Sequence, residues 1–471
     1  MTVARVLIAN RGEIAVRIIR ACQQLGIESV LAVSEADTDS LPARIAGRTI
    51  CIGPANATES YLNVNAIVAA ALGTGCDAIH PGYGFLAESE DMAEACAAQG
   101  LTFVGPRPEQ LREMGNKLQA RALARQFGLP ILPGSERVHS FEEAAKVAER
   151  IGLPVMMKAA AGGGGRGMKI VNDFKELQQM FASASSEARA AFGDDTLYLE
   201  RYIPNARHIE VQVLGDRFGN VIYLGERDCS LQRRRQKLVE ESPSPVLDPA
   251  TRVAMGEAAV KIRQAGATLA RNMRYENAGT VEFIFDQDSE TFYFLEMNTR
   301  IQVEHPVSEM ITGIDLVQEQ FRVARGEKLR FSQSDIKFRG HAIECRINAE
   351  LPNEGFRPSP GMIAEWNPPA GPNIRLDTHC YPGYRIPMYY DSLLGKLIVY
   401  GCDRSEAIER MRRALEQFSV TGIGTTLKFL HFVMCHPEFI AGNVNTRLVD
   451  EMIQQMAEQH AAPKEAHAHR A

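Results

Sequence analysis

The sequence predicts a mixed architecture, an open α/β unit followed by α+β units, and three observations carry that reading. Apolar runs alternate with amphipathic segments through residues 1–113, the pattern of a strand–helix–strand layer. Farther on, Arg207–Val213 and Gly340–Ala349 alternate apolar and polar residues with period two, as half-buried strands do. At 471 residues and 45% hydrophobic, the chain is long enough for about three domains with cores of their own.

Composition excludes several function classes. The formal charge of −6 disfavours nonspecific nucleic-acid binding as the main activity, while leaving room for a local basic pocket for phosphates. No apolar run approaches a membrane span, and MTVARVLIANRGE turns polar too early for a signal peptide, so a cytoplasmic location is expected. The nine cysteines show neither CxxC pairs nor zinc-ligand spacing and read mostly as packing thiols; Cys229 is the exception to weigh because its neighbours are charged, and it is not expected to be a nucleophile.

In chain order, Val3–Ala9 is an apolar run followed by Asn10-Arg11-Gly12-Glu13, an amphipathic segment to Leu25 and a second run, Ser29–Val33. This is a strand–helix–strand unit without GxGxxG, and Asn10 with Glu13 three residues on resembles a capping box. The pattern repeats through Tyr61–Leu72, Ala78–His80, the loop Pro81–Phe85, a helix over Asp91–Gln99 and a strand Thr102–Val104, and the unit ends near Glu113. A basic helix from Gly115 to Phe127 carries Lys117, and Gly128-Leu129-Pro130 stops it.

A second unit spans residues 115–330, with residues 131–200 as a smaller lid. The lid centres on Pro154–Lys158, then Gly162–Gly167, then Met168–Val171, which reads strand, glycine loop, strand. Gly162, Gly164 and Gly167 satisfy GxGxxG, but that fingerprint and the P-loop both require a helix after the glycines. A flap presenting backbone N–H groups to phosphates, with Lys158 and Arg166 beside it, fits better than a merely flexible loop. After the strands Arg207–Val213 and Val221–Leu224, the run Glu226–Lys237 is too mixed in charge for a core strand. It reads either as a solvated face or as a phosphate-facing segment. A third, α+β region covers residues 337–445: Arg346 faces away from His341, Ile343, Cys345 and Ile347, and Asp391–Lys396 precedes a strand Leu397–Tyr400 and a helix Ser405–Phe418. Residues 457–471, with His460, His467 and His469, read as a disordered tail.

The chemistry points to Asn277–Pro306. Gly279–Phe285 and Phe292–Met297 read as strands about a turn at Asp288–Ser289, and antiparallel pairing would set Glu282 across from Glu296 with Asn298 two residues on. Facing carboxylates repel, and an oxygen-seeking ion such as Mg2+ or Mn2+ relieves the repulsion; the alternative is a solvated face carrying two Glu. If the chain continues extended, Arg300, Gln302 and Glu304 share one side, an anion site with a base, while His305 points away as a packing or hydrogen-bonding residue.

Together, NRGEIAVRIIRA at 10–21, HPGYGFLAE at 80–88, GGGGRGM at 162–168, EMNTRIQVEHPVSE at 296–309 and YDSLLGKL at 390–397 closely resemble the biotin carboxylase family of the ATP-grasp superfamily. The likeness runs from about residue 3 to 445. It implies a preATP-grasp α/β domain, an ATP-grasp domain with a mobile lid, and a biotin carboxylase C-terminal domain. By resemblance, Lys117, Lys158, Glu200, His208 and Gln232 surround ATP, the backbone near Ile203 meets the adenine, and Gly163, Gly164 and Gly165 cover phosphates. The same resemblance makes Glu282, Glu296 and Asn298 the metal ligands; Arg300, Gln302 and Val303 the bicarbonate site; and Glu304 the general base. It makes Arg346 the residue stabilising the biotin enolate, and Lys237 a phosphate and bicarbonate contact. Two departures stand out: Arg235 where the family often has His or Asn, and Arg201 where a Lys is familiar.

What the resemblance implies is ATP- and bicarbonate-dependent carboxylation of biotin through carboxyphosphate. The chain carries no Ala-Met-Lys-Met-like biotinyl-lysine motif and no room for a carboxyltransferase domain, so a separate biotin carboxyl carrier protein and carboxyltransferase subunit are expected, with a homodimer. Acetyl-CoA carboxylase is the first choice of parent complex, ahead of a pyruvate, 2-oxoglutarate or other acyl-CoA carboxylase. A carbamoyl-phosphate-type ligase and a non-catalytic ATP-binding scaffold are the competing readings.

Overall fold

The computed structural model describes residues 3–115, 117–160, 168–261 and 275–461. Five short strands, β1 (Arg5–Ile8), β2 (Glu28–Val33), β3 (Arg48–Cys51), β4 (Ala78–His80) and β5 (Thr102–Phe103), form a parallel sheet in the order β3-β2-β1-β4-β5. Order reverses beside β1, so the loops after β1 and β4 open at one crevice, the usual ligand position of such sheets. Helix α1 (Gly12–Leu25) packs Ile14 and Ile18 into a core shared with Leu214, Ile222 and Phe321, which binds this unit to the middle of the chain. The expected capping box does not form. Arg11 is the N-cap, with no side-chain cap bond, because Asn10 Nδ2 is drawn across the crevice to the carbonyls of Pro81 and Tyr83, each at 2.7 Å. Glu13 instead meets Tyr83 and Lys396.

The lid section holds a three-stranded antiparallel sheet, β6 (Val155–Ala159), β7 (Met168–Val171) and β8 (Leu197–Arg201), in the order β7-β6-β8. Val155, Met157, Phe181 and Leu199 give it a core of its own. Gly163, Gly164 and Gly165 lie outside the described residues. Their flanks behave as the sequence predicts, since Lys158 pairs with Met168 across antiparallel strands and no helix follows directly.

The largest element is an eight-stranded antiparallel sheet. Strands β9 (Ala206–Gly215), β10 (Val221–Arg233), β11 (Gln236–Ser242), β12 (Asn277–Asp286), β13 (Thr291–Asn298) and β14 (His341–Asn348) run in the order β13-β12-β9-β10-β11-β14, continued by Leu393–Gly401 and Ile374–Thr378. The β11–β14 pairing, with Val239 opposite Cys345, joins the middle and C-terminal regions in one hydrogen-bonded surface.

Two sequence expectations give way to the structure, and one departure gains a reason. The first half of the charged run is not a solvated face: β10 extends through it to Arg233, and Glu226, Arg227 and Asp228 are buried, whereas Arg234, Arg235 and Gln236 at the hairpin turn are exposed. The charges are tolerated because each has an opposite charge at hand: Arg227 Nε lies 2.5 Å from buried Glu210, Asp228 2.8 Å from buried Arg207, and Glu226 2.7 Å from half-buried Arg252. The tail is helical farther than expected, since a helix spans Leu448–Ala461, anchored by Leu448, Val449 and Met452; residues 462–471 lie outside the described residues. Arg235 occupies a two-residue hairpin turn between paired Arg233 and Gln236, with φ of 46° at Arg234 and 68° at Arg235. That left-handed conformation favours Asn or Gly, which gives the departure a backbone meaning beside any contact its head makes.

The C-terminal region also sets an acid limit. Glu241 lies buried between His341 at 2.8 Å and Arg404 at 2.7 Å, and although burial pushes its pKa up, these partners outweigh it and hold it at about 2. A carboxyl depressed below its unfolded value of about 4.3 stabilises the fold above that value and loses the contribution as pH falls towards 2. The acid limb of a stability–pH curve is therefore expected to flatten in Glu241→Gln, as read by urea midpoints between pH 5 and pH 3.

Candidate active site

The β12–β13 hairpin brings Glu282 opposite Glu296, by a route the sequence did not reveal. Asp286 pairs with Thr291, Phe285 with Phe292 and Phe283 with Phe294, a register that by itself would face Glu282 with Leu295. A register shift between Glu282 and Phe283 moves Glu296 into place instead. Asn298 follows on that face, and its Nδ2 donates to Glu282 Oε1 at 2.7 Å. The donors are carboxylate and amide oxygens, the hard set that Mg2+ prefers, so the residues fit that ion.

Beyond Asn298 the chain does not stay extended. It turns at Val303–Glu304 into a helix over His305–Thr312, with Glu304 at its N-cap. The turn is what puts Glu304 within reach of other strands. Lys237 of β11 donates to Glu304 Oε1 at 2.5 Å and to Glu210 Oε2 at 2.6 Å, and its Nζ stands 3.4 Å from Glu282 Oε1. Arg346 of β14 donates to Glu304 Oε2 at 3.0 Å and to Glu240 at 2.6 Å. Gln302 Nε2 donates to Glu282 Oε1 at 2.7 Å, and its own oxygen accepts from Arg227 at 2.7 Å. His208 Nε2 lies 2.8 Å from Glu282 Oε2. Glu282, Asn298, Gln302, Glu304, His208, Lys237 and Arg346 thus form one connected network, and Arg300 joins it through Asn298 Oδ1 at 3.2 Å while pairing with Glu88 at 2.9 Å.

The carboxylates of the network are buried, Lys237, Asn298, Arg300 and Arg346 are half-buried, and the charges set one another's protonation. Burial raises the carboxyl pKa of Glu304, but Lys237, then Arg346 and Arg227, hold it well below the usual range. Glu282 behaves alike under Lys237 and His208. Lys237, penalised by burial, is nonetheless driven well up by Glu210, Glu282 and Glu304, and His208 is raised by Glu282 against the same penalty. Both carboxylates and Lys237 are thereby held in their charged forms, and His208 is shifted towards its imidazolium form.

The remaining candidates lie apart. Lys158 and Arg121 both pair with Glu200 at the base of the lid, and Arg121 also donates to Leu132 O at 3.2 Å. Ile203 packs beside Leu132 and Ala206, forming an apolar wall. Gln232 sits opposite Lys237 at the end of β10. Lys117 opens the helix Lys117–Gln126. The carbonyl of Val303 accepts from Lys396 at 2.8 Å. His305 is buried, with Nδ1 2.7 Å from the Gln302 carbonyl, a hydrogen-bonding residue as expected.

Sequence reasoning missed Glu210, Arg227, Glu240, Lys396 and Glu88. The period-two alternation of Arg207–Val213 puts Glu210 on the face with His208, a signal present in the sequence, whereas the cross-strand pairing of Glu240 with Glu344 and the other partners from distant strands were not.

Residues 2–111 match the family model for the biotin carboxylase N-terminal domain, residues 116–332 that for the carbamoyl-phosphate synthase L chain ATP-binding domain, and residues 344–451 that for the biotin carboxylase C-terminal domain. A biotin carboxylase from Nostoc sp. is 52% identical over 449 residues, covering 95% of this chain and 99% of the relative. The crystal structure of a Campylobacter jejuni biotin carboxylase in complex with ATP superposes with a TM-score of 0.91 at 49% identity, covering 96% of this chain and 99% of that one. The biotin carboxylase domain dimer of Hydrogenobacter thermophilus 2-oxoglutarate carboxylase, solved with MgADP and bicarbonate, gives a TM-score of 0.90 at 48% identity, covering 95% and 97%. With its motifs, its sheet topology and its relatives agreeing along nearly the whole length, the chain belongs to the biotin carboxylase family.

Proposed function

We propose that the chain is an ATP-dependent carbon–nitrogen ligase, the biotin carboxylase subunit of an acetyl-CoA carboxylase, acting in the cytoplasm in fatty acid biosynthesis. The observation that carries the reading is the meeting of Glu304, Lys237 and Arg346, from a helix N-cap and two strands, directly beside Glu282. A base, a phosphate-binding cation and an enolate-stabilising cation are what the reaction needs within one small space.

In this reading Glu282, Glu296 and Asn298 hold Mg2+, with Mn2+ as a substitute; the ion supplies charge neutralisation for the transferring phosphoryl group. Lys117, Lys158, Glu200, Ile203, His208 and Gln232 seat ATP, with Gly163, Gly164 and Gly165 over the phosphates. Arg300, Gln302 and the Val303 backbone seat bicarbonate. Glu304 removes its proton, the bicarbonate oxygen attacks the γ-phosphorus with ADP leaving, and carboxyphosphate breaks down to CO2 and phosphate. Phosphate takes the N1 proton of biotin, Arg346 stabilises the enolate, and the ring nitrogen attacks CO2. Lys237 and Arg346 suppress the basicity of Glu304 until incoming anions draw them off, which couples proton removal to substrate binding.

Biotin arrives on a carrier protein and the carboxyl group leaves through a carboxyltransferase subunit; a homodimer is supported by the dimeric relative. That relative serves a 2-oxoglutarate carboxylase at 48% identity, so a parent complex acting on pyruvate, 2-oxoglutarate or another acyl-CoA is the second reading. The test is Mg2+-dependent ATP hydrolysis by the purified chain with bicarbonate, with and without free biotin. Stimulation that needs both supports the half-reaction; ATP binding with no stimulation favours a scaffold.

Arg300→Ala is expected to raise the KM for bicarbonate at least tenfold, because it removes about 1.5–3 kcal/mol of charge-assisted hydrogen bonding to the anion. Steady-state turnover against bicarbonate concentration reads it, and unchanged KM removes Arg300 from the bicarbonate site.

A further inference from the structure

On the face of the large sheet covered by the helix His305–Thr312, Glu240 of β11 and Glu344 of β14 are direct cross-strand partners, and both are fully buried. Opposite residues in an antiparallel pair project to the same side, so two carboxyl groups enter one dry space. Their surroundings differ. Glu240 Oε1 accepts from Arg346, whereas among the described residues Glu240 Oε2 and both oxygens of Glu344 meet no hydrogen-bond donor.

The cations that face Glu344 are committed elsewhere. Arg346, two residues along the same strand, is shared between Glu240 and Glu304. Lys396, opposite Arg346 on the next strand, donates to Val303 O at 2.8 Å and lies 3.1 Å from Glu13, with Asp377 at 4.0 Å. Lys237, which faces Glu240, serves Glu210, Glu282 and Glu304. An ionised carboxylate with no donor on either oxygen is the costliest form to bury, whereas the neutral acid carries no charge and owns a donor.

We propose that Glu344 is held as a neutral carboxylic acid and serves as a positioning residue for Arg346, leaving the guanidinium to Glu240 and Glu304 at the cleft. Burial drives its pKa well above the usual range, with Glu240 and Glu304 adding to the effect against Lys396 and Arg346, and Glu240 itself is raised to about 7. When Glu344 ionises, a third carboxylate competes for Arg346 from within the sheet and draws it back from the cleft. This rests on the assignment of Arg346 to the biotin enolate. The two are separated by measuring Glu344 directly.

Infrared difference spectra between the parent protein and Glu344→Gln at neutral pH are expected to show the carbonyl stretch of a protonated carboxyl group in the parent alone. In the parent-minus-variant difference, where the Glu240 signal cancels, that band disappears on raising the pH, and the parent's KM for free biotin climbs several-fold over the same range. In Glu344→Gln, which stays neutral, the climb is absent. A parent spectrum without the band overturns the proposal, as does a band that persists through the pH range in which KM rises, or a Glu344→Gln profile that rises like the parent's. Failure of all biotin-dependent turnover would instead sink the proposed function and leave the infrared result standing.

Discussion

Glu304→Gln is expected to reduce bicarbonate- and biotin-dependent ATP hydrolysis by about 10²–10⁴-fold, the usual range for losing a general base. The amide keeps the size of the side chain and can still accept from Lys237 or Arg346, which stand 2.5 Å and 3.0 Å from the carboxylate. Binding of ATP is therefore expected to survive while turnover fails. Isothermal titration with a nonhydrolysable ATP analogue, beside a coupled ADP assay, separates the two. A variant that turns over within threefold of the parent would remove Glu304 from the role of base.

The second large effect is on stability. Arg227 is fully buried and donates to Glu210, Gln212, Ser308, Thr280 and Gln302. It ties β10 to β9, to β12, to the active-site turn and to the helix that follows. Arg227→Leu leaves Glu210 facing Lys237 alone and strands several polar groups, and breaking a buried pair from one side costs about 3–5 kcal/mol. Urea denaturation is expected to show a loss of that size, with part of it recovered in Arg227→Leu/Glu210→Leu, where no charge is left unpaired on that side. Equal stability of the single variant and the parent would show that the network is not structural.

Much of the fold was legible in the sequence because local periodicity is local physics. The alternation of apolar runs and amphipathic segments around Asn10–Leu25 determined the first layer, and the strand character of Met168–Val171 excluded a nucleotide fingerprint at the glycines without any structure. The pairing of Glu282 with Glu296 holds, though the turn at Asp288–Ser289 alone sets Leu295 opposite Glu282 and the register shift brings Glu296 there instead. Extended geometry predicted that Arg300, Gln302 and Glu304 lie together, and the turn at Val303 changed how they do so.

What only the tertiary structure decided is where the charges go. Glu226–Lys237 looks soluble when judged by composition, because a charged run is ordinarily a solvated one. The fold buries its first half, Glu226–Asp228, by supplying Arg207, Glu210 and Arg252 as counter-charges, of which Arg207 and Glu210 arrive from the neighbouring strand and Arg252 from the helix that follows. The same holds for Glu240 and Arg346, which lie far apart in sequence and meet only because β11 and β14 are adjacent. The sequence by itself determined which residues can do the chemistry and which faces of their strands they occupy. Strand order across the large sheet decided which of them touch, since that order is set by long-range hydrogen bonding that no local window contains.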